Sequence, residues 1–425
     1  MNMELVRDYI AMFQRKNFGR IIKRELKIEH TKGKAITIAG PRRAGKTYFL
    51  FQLISRVNRD KCVYLDFEDI ALRGLSSVDC FKVIREIFPE VTGSRAEYVF
   101  LDEVQNMREW ESLVRTLLDR GYNVFVSGSS SKLLSKEIAT QLRGRSLTCL
   151  LLPFSFREFL RAKNVKLDMN LLSEKGRVKH LLKEYMEWGG FPEVVLSEEK
   201  EKILKEYIDL AFFKDFVERH RIQSTQIARY IFEFTLQNFA RELTVRSMAR
   251  KMKSLGLKFN INTLYRYMEN LEDTLFIFFL KRYSPRILRR ESWPRKVYVC
   301  DTGLTRVTRY SEDIGKQMEN IVFLELKRRE NEKPLQQILY WKNSQGRKVD
   351  FMVKEGPKIT QLIQVTYATG PDEIDKREIK SLLKASKTLN CKNLTTITWD
   401  YEDTAQVKEQ KIKFTPLWKW LLGRQ

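Results

Sequence analysis

Residues 40–47, Gly-Pro-Arg-Arg-Ala-Gly-Lys-Thr, constrain this chain more than any other stretch. They follow a short apolar run, Ala35-Ile-Thr-Ile-Ala39, and lead into an apolar helical stretch from Thr47 to Val57. A strand, a loop bounded by two glycines and a helix make up the phosphate-loop pattern. The glycines let the backbone curl so that its N–H groups point at a phosphate. The helix that follows turns the positive end of its dipole to the same oxygens. In that arrangement Lys46 supplies a point charge to the β- and γ-phosphates, and Thr47 supplies a hydroxyl to Mg²⁺. Gly40, Pro41, Arg42, Arg43, Ala44, Gly45, Lys46 and Thr47 are therefore the candidate nucleotide-binding residues, with ATP and Mg²⁺ as the expected cofactors.

The surrounding pattern alternates strand and helix. Candidate strands at Cys62–Asp66, Tyr98–Leu101 and Asn123–Val126 are separated by helical stretches near Val78–Ile87 and Trp110–Asp119. Alternation of this kind predicts an α/β fold on a parallel sheet. Tyr98-Val-Phe-Leu-Asp102-Glu103 ends an apolar strand in two carboxylates. Asp102 is placed to hold Mg²⁺, and Glu103 to orient or deprotonate an attacking water. The strand 123–126 runs into Ser127-Gly-Ser-Ser130, where Ser129 is the candidate contact to the γ-phosphate or the water, with Ser127 close behind. Arg145, or its neighbour Arg143, is the candidate charge-stabilising finger, in cis or from another subunit.

These residues, with Phe-Leu-Asp-Glu-Val-Gln (100–105), Ser-Gly-Ser-Ser-Ser-Lys-Leu-Leu (127–134), Leu-Arg-Gly-Arg (142–145), Pro-Phe-Ser-Phe-Arg-Glu-Phe (153–159) and Trp-Gly-Gly-Phe-Pro-Glu (188–193), carry a resemblance over nearly the whole chain. It resembles prokaryotic, especially archaeal, AAA-type P-loop ATPases that end in a restriction-endonuclease-like domain. The resemblance implies an AAA-type parallel sheet followed by a helical lid, a winged helix and a nuclease-like α/β domain. The expected divisions are a helical arm at 1–30, the P-loop domain at 31–153, the lid at 154–225, the winged helix at 226–290 and the nuclease-like domain at 291–425.

Leu243-Thr-Val-Arg-Ser-Met-Ala-Arg and Asn260-Ile-Asn-Thr-Leu-Tyr-Arg-Tyr resemble the two helices of a helix-turn-helix. Asn262, Thr263, Tyr265 and Arg266 would face DNA, while Leu264, Tyr267, Met268 and Leu271 read as core. By sequence alone, 226–283 reads as three helices and a turn. Further on, strands at Val297–Cys300, Gln337–Trp341, Val349–Val353 and Ile359–Val365 are interrupted by a helix over about Gln317–Arg329. Past a last strand near Thr395–Trp399 the chain reads as a short tail. For the nuclease-like domain the resemblance implies Glu319, Glu325, Asp350 and Gln364 as site residues. Thr366 stands where that pattern expects a lysine, so cleavage is not expected unless Lys348 or Lys354 substitutes.

Charge adds a partner class. The chain carries 78 Lys and Arg against 54 Asp and Glu, a net +24, and residues 241–310 hold 16 against 6. Local enrichment of this kind fits a polyanion such as DNA. Cys62, Cys80, Cys149, Cys300 and Cys391, and His30, His180 and His220, stand singly. That spacing argues against a zinc site and a disulfide framework. The longest apolar run, Leu275 to Leu280, is far short of the roughly 20 residues that span a membrane. Without an apolar leader near residue 1, a cytoplasmic location is expected. The expectation is an ATPase that couples nucleotide state to DNA binding, with a homo-oligomer among the expected arrangements. A nucleotide-dependent switch for a protein partner and an ATP-gated nuclease are the alternatives.

Overall fold

Five consecutive buried residues, Ala35–Ala39 (β1), can exist only where both faces of a sheet are covered, as in a parallel α/β core. The computed structural model of the chain describes residues 3–29, 31–134, 136–166, 172–292, 294–308 and 313–423. They divide into two compact units, Met1–Leu152 and Pro153–Gln425.

In the first unit β1 is joined by Cys62–Asp66 (β2), Tyr98–Asp102 (β3), Asn123–Gly128 (β4) and Ser146–Leu150 (β5). All pairings are parallel, in the order β2-β3-β4-β1-β5. Parallel strands share one direction, so the loop after β1 and the ends of β2, β3 and β4 lie along one edge. In open α/β sheets that edge is where ligands collect. The sequence reading missed β5 because Ser-Leu-Thr-Cys-Leu is half polar and sits at the sheet's margin. The N-terminal helix Met3–Arg15 and the segment after it belong to this unit's core. Phe13 and Phe18 pack with Phe51, the Phe18 and Phe51 rings stacked 4.3 Å apart.

The second unit opens with helices Phe156–Ala162, Leu172–Trp188, Pro192–Leu196 and Lys200–Leu210, the last continuing as a wider-wound segment, Ala211–Glu218. Helices Thr225–Gln237, Val245–Ser254 and Ile261–Asp273 follow. They come with a three-stranded antiparallel sheet of Glu242–Leu243 (β6), Ile277–Leu280 (β7) and Arg295–Val299 (β8), ordered β6-β8-β7. So 226–283 is not helices alone. β6 is too short to show periodicity, and the all-buried β7 cannot be told from a helical turn by pattern.

The rest is a six-stranded sheet: Gln336–Lys342 (β9), Lys348–Glu355 (β10), Lys358–Val365 (β11), Leu394–Thr398 (β12), Asp403–Val407 (β13) and Gln410–Pro416 (β14). Its order is β13-β14-β12-β11-β10-β9, with β11, β12 and β14 mutually parallel. Helix Lys376–Leu389 covers it through Leu382, Leu383 and Ala385. The expected short tail is in fact the hairpin β13–β14 and helix Leu417–Leu422. The exposed, polar β13 concealed the hairpin from the sequence reading.

The Trp-Gly-Gly-Phe-Pro block has a physical reason. Asp301, buried just after β8, accepts hydrogen bonds from Gly190 N at 2.6 Å and Gly303 N at 2.9 Å. A Cβ on Gly189, whose φ is 78°, would strike the Asp301 carboxylate. Burial pushes the Asp301 carboxyl up to about 7, against the pull of those N–H groups. A carboxyl raised above its unfolded value of 3.8 stabilises the fold while protonated. That contribution is complete at acid pH and is lost as pH rises through about 7. Asp301→Asn should therefore flatten the fall in thermal midpoint of the wild type between about pH 5 and pH 8. A slope unchanged in the variant would assign it to other groups.

Candidate functional site

The loop after β1 is shaped by its backbone. Arg43 and Gly45 take left-handed conformations, φ 66° and 91°. Gly40 lies so close to the Leu151 carbonyl that a Cβ would collide with it. From the loop, helix Lys46–Ile54 begins with Lys46 buried and Thr47 half-buried. Lys46 Nζ donates to Pro41 O at 3.2 Å and pairs with Glu103 Oε1 at 3.1 Å. The Thr47 hydroxyl donates to Asp102 Oδ2 at 2.6 Å.

β3 delivers both carboxylates to this point. Asp102 is fully buried, and Tyr64 OH donates to its Oδ2 at 2.8 Å while Ser127 Oγ donates to its Oδ1. Burial, then the neighbouring Glu103 charge, pushes its carboxyl up despite these donors. Glu103 turns out of the strand at φ 49°. Burial also works against its charge, but the Lys46 ammonium, the Gln105 amide and Arg42 together hold it below the usual range. Two adjacent buried acids are thus driven apart, one toward its neutral form and one toward its charged form. Asp66, ending β2 beside them, is raised to about 6, first by burial and then, against the Glu68 backbone N–H, by the Asp102 charge.

The structure brings Lys46, Thr47, Asp102, Glu103, Ser127 and Ser129 to one edge of the sheet. Ser129 is buried and accepts from Gln105 Nε2 at 3.3 Å, and the same amide donates to Glu103 Oε2. Gln105, Tyr64 and Arg24 escaped the sequence reading. Gln105 closes the 100–105 block with no role assigned to it, and Tyr64 carries no signal beyond its place on a candidate strand. Arg24 is a buried arginine whose guanidinium donates to Ala44 O at 2.9 Å and to Leu152 O, so the N-terminal segment braces the loop from behind. Arg42 reaches outward to Glu68 at 2.8 Å.

Arg145 narrows one expectation, that of a finger in cis or from another subunit. It precedes β5, whose first residue pairs with Ala35, at the end of the sheet away from the loop. It also forms an ion pair with Asp119. β1 separates it from the loop by about 17 Å of strand, so Arg145 does not reach the phosphate loop of its own chain. His30 lies outside the described residues.

In the second unit, Glu319 and Asp350 meet, but the lysine between them is neither Lys348 nor Lys354. Lys296, on β8, donates from Nζ to Glu319 Oε1 and Asp350 Oδ1, each at 2.8 Å. A lysine directly before the apolar run Val297–Cys300 was the available signal. Glu325 is a correction: it pairs with Arg157 at 2.9 Å and lies near Arg328 and Arg329. Six residues on from Glu319 it has rotated to another face of helix Ile314–Glu332. Gln364 is buried next to the Phe351–Ile363 pair that aligns β10 with β11. Asn262, Tyr265 and Arg266 are exposed on helix Ile261–Asp273, Thr263 is half-buried, and Leu264, Tyr267, Met268 and Leu271 are core.

Residues 32–160 match the AAA domain family (AAA_14). Residues 179–312 and 314–420 match two domains of unknown function, DUF8612 and DUF4143. An uncharacterized protein of Methanocaldococcus jannaschii is 36% identical over 418 residues, covering 95% of this chain and 92% of its own length. One of Haemophilus influenzae is 29% identical over 303 residues, covering 69% and 74%. A DNA polymerase III gamma subunit-related protein of Thermotoga maritima aligns with 63% of this chain and 99% of its own at 13% identity and a TM-score of 0.25, and we draw nothing from a likeness of that size.

Removing Lys46 would leave the Glu103 carboxylate buried without its counter-charge. Breaking a buried pair from one side costs about 3 kcal/mol. Nucleotide-free Lys46→Ala should lose stability of that order in chemical denaturation. Lys46→Met with Glu103→Gln should recover most of it. Equal losses in the single and double variants would show that the pair carries no such energy.

Proposed function

The chain belongs to an AAA-type P-loop ATPase family, shared with the Methanocaldococcus jannaschii relative, and on that premise we propose that it hydrolyses ATP and uses the nucleotide cycle to change its hold on DNA. The observation that carries the first half is the convergence of Lys46, Thr47, Asp102 and Glu103 at the strand ends. The donor set fits Mg²⁺: a hydroxyl and a carboxylate already in contact are hard oxygen ligands. Thr47 and Asp102 would hold the ion, which would neutralise charge on the phosphates.

The remaining chemistry belongs to the chain's own residues. The curled loop 40–45 and the start of helix Lys46–Ile54 would bind the phosphates through backbone N–H groups. Lys46 would exchange Glu103 for phosphate oxygens. Released from Lys46, Glu103 would orient the attacking water and receive its proton, with Gln105 fixing the carboxylate's rotation and Ser129 beside it. Because Arg145 lies at the far end of the sheet, its role as a finger would be toward the site of a neighbouring copy. That makes an oligomer part of the proposal.

The DNA half is supported by the order helix 225–237, β6, helix 245–254, helix 261–273, β7, β8, which is that of a winged helix. Arg246, Arg250, Lys251, Lys253 and Arg266 on these helices, and Arg286 and Arg289 between β7 and β8, are exposed. Leu264, Tyr267, Met268 and Leu271 turn inward, leaving Asn262, Tyr265 and Arg266 on the outer face. The αβββαβ order of helix 314–332, β9, β10, β11, helix 376–389 and β12 supports a nuclease-like fold for the last part. Thr366 in place of the expected lysine supports reading it as non-cleaving.

ATP hydrolysis by the full chain with Mg²⁺ tests the proposal, without nucleic acid and with single-stranded or duplex DNA, at low and moderate salt. Wild type should be stimulated by DNA, with stimulation fading as salt rises. Glu103→Gln should lower turnover by about a hundredfold. Arg266→Ala should weaken DNA binding and lessen its salt dependence by about one counterion. Turnover indifferent to every nucleic acid would overturn the DNA half, and turnover unaffected by Glu103→Gln the assignment of the base.

A further inference from the structure

We infer that Lys296 stands where a divalent cation would otherwise be needed, so that the carboxylate cluster of the second unit is closed to metal by the protein's own side chain. The cluster is built from three elements. Glu319 comes from helix Ile314–Glu332, Asp350 from β10 and Lys296 from β8, each at least nine-tenths buried. Two buried carboxylates converging on one point are costly without a cation between them. The point is occupied: Lys296 Nζ is 2.8 Å from an oxygen of each. Tyr298 OH donates to the same Glu319 oxygen at 2.6 Å, and Val365 N donates to the second Asp350 oxygen at 3.1 Å.

Mg²⁺ bound by these oxygens would sit about 2.0–2.1 Å from each, inside the volume the ammonium fills. Ion and ammonium therefore exclude one another. Among the described residues, no three His, Cys, Asp or Glu side chains converge as a metal cage. The residues present thus do not fit the Mg²⁺ that a nuclease-like domain would call for. Asn320 on the same helix ties the arrangement down, accepting from Val299 N at 2.9 Å and donating to Val299 O at 3.0 Å. That fixes β8 against helix 314–332 and holds the backbone of the buried lysine beside the two carboxylates. The inference holds whether or not the first unit hydrolyses ATP.

The test is Mn²⁺ titration followed by electron paramagnetic resonance, with thermal unfolding in parallel, on the nucleotide-free full chain. The forms compared are wild type, Asp350→Asn, Lys296→Met, and the last two combined. Asp350→Asn should leave Mn²⁺ binding as in wild type. Lys296→Met should unfold at lower temperature and gain a site, at least about tenfold tighter than any Asp350-dependent binding in wild type. Combining it with Asp350→Asn should abolish that site. Mn²⁺ should raise the midpoint of Lys296→Met more than that of wild type. Asp350-dependent Mn²⁺ binding by wild type, or a folded Lys296→Met that gains no site, would overturn the inference. If Lys296→Met does not fold, wild type against Asp350→Asn decides alone: equal binding supports the closed cluster, and a loss overturns it.

Discussion

Two buried carboxylates at the end of β3 set the terms for the first unit. Asp102 and Glu103 are adjacent, both screened from water, and an isolated buried charge is too costly to keep. Everything around them answers that cost. Thr47, Tyr64 and Ser127 donate to Asp102, and Lys46 and Gln105 hold Glu103. Lys46 and Thr47 are available only because the loop 40–45 curls tightly enough to start a helix there. The loop in turn is braced by Arg24 and by the close approach of Gly40 to Leu151.

The second unit meets the same problem differently. There too an acidic pair, Glu319 and Asp350, is buried, but its counter-charge is a lysine on a central strand. In the first unit the partners are the residues that would engage phosphate and Mg²⁺, so their pairing can be exchanged for a ligand. In the second unit the partner belongs to the fold and has nowhere to go. One acidic pair is thus poised for chemistry, while the other is neutralised as part of a core. That contrast is what the proposed ATPase role of the first unit and the proposed non-cleaving role of the second rest on.

Much of this was legible in the sequence because local patterns carry it. The phosphate loop, the β3 carboxylates and the alternation of strand and helix are contiguous, and each motif states its own geometry. The Thr47–Asp102 contact follows from placing β1 and β3 in one parallel sheet. What was not legible depends on distant residues meeting. Lys296 lies 23 residues from Glu319 and 54 from Asp350, and only the packed fold shows that it serves both. Glu325 looked equivalent to Glu319 on the same helix, and its partner Arg157 is 168 residues away. Arg145 reads as a finger beside a glycine, and only the register of β5 against β1 reveals which end of the sheet it occupies. β5, β6 and β13 were missed because short or edge strands carry weak periodicity.

The central claim is that one acidic pair exchanges its counter-charge for nucleotide and metal and the other does not. The count of Mn²⁺ ions bound by the wild-type chain, with and without a slowly hydrolysed ATP analogue, tests it most directly. The account predicts about one tightly held ion per chain when the analogue is present, and none held tightly in its absence. Tight Mn²⁺ binding without nucleotide, or a second ion that the analogue does not bring, would contradict it.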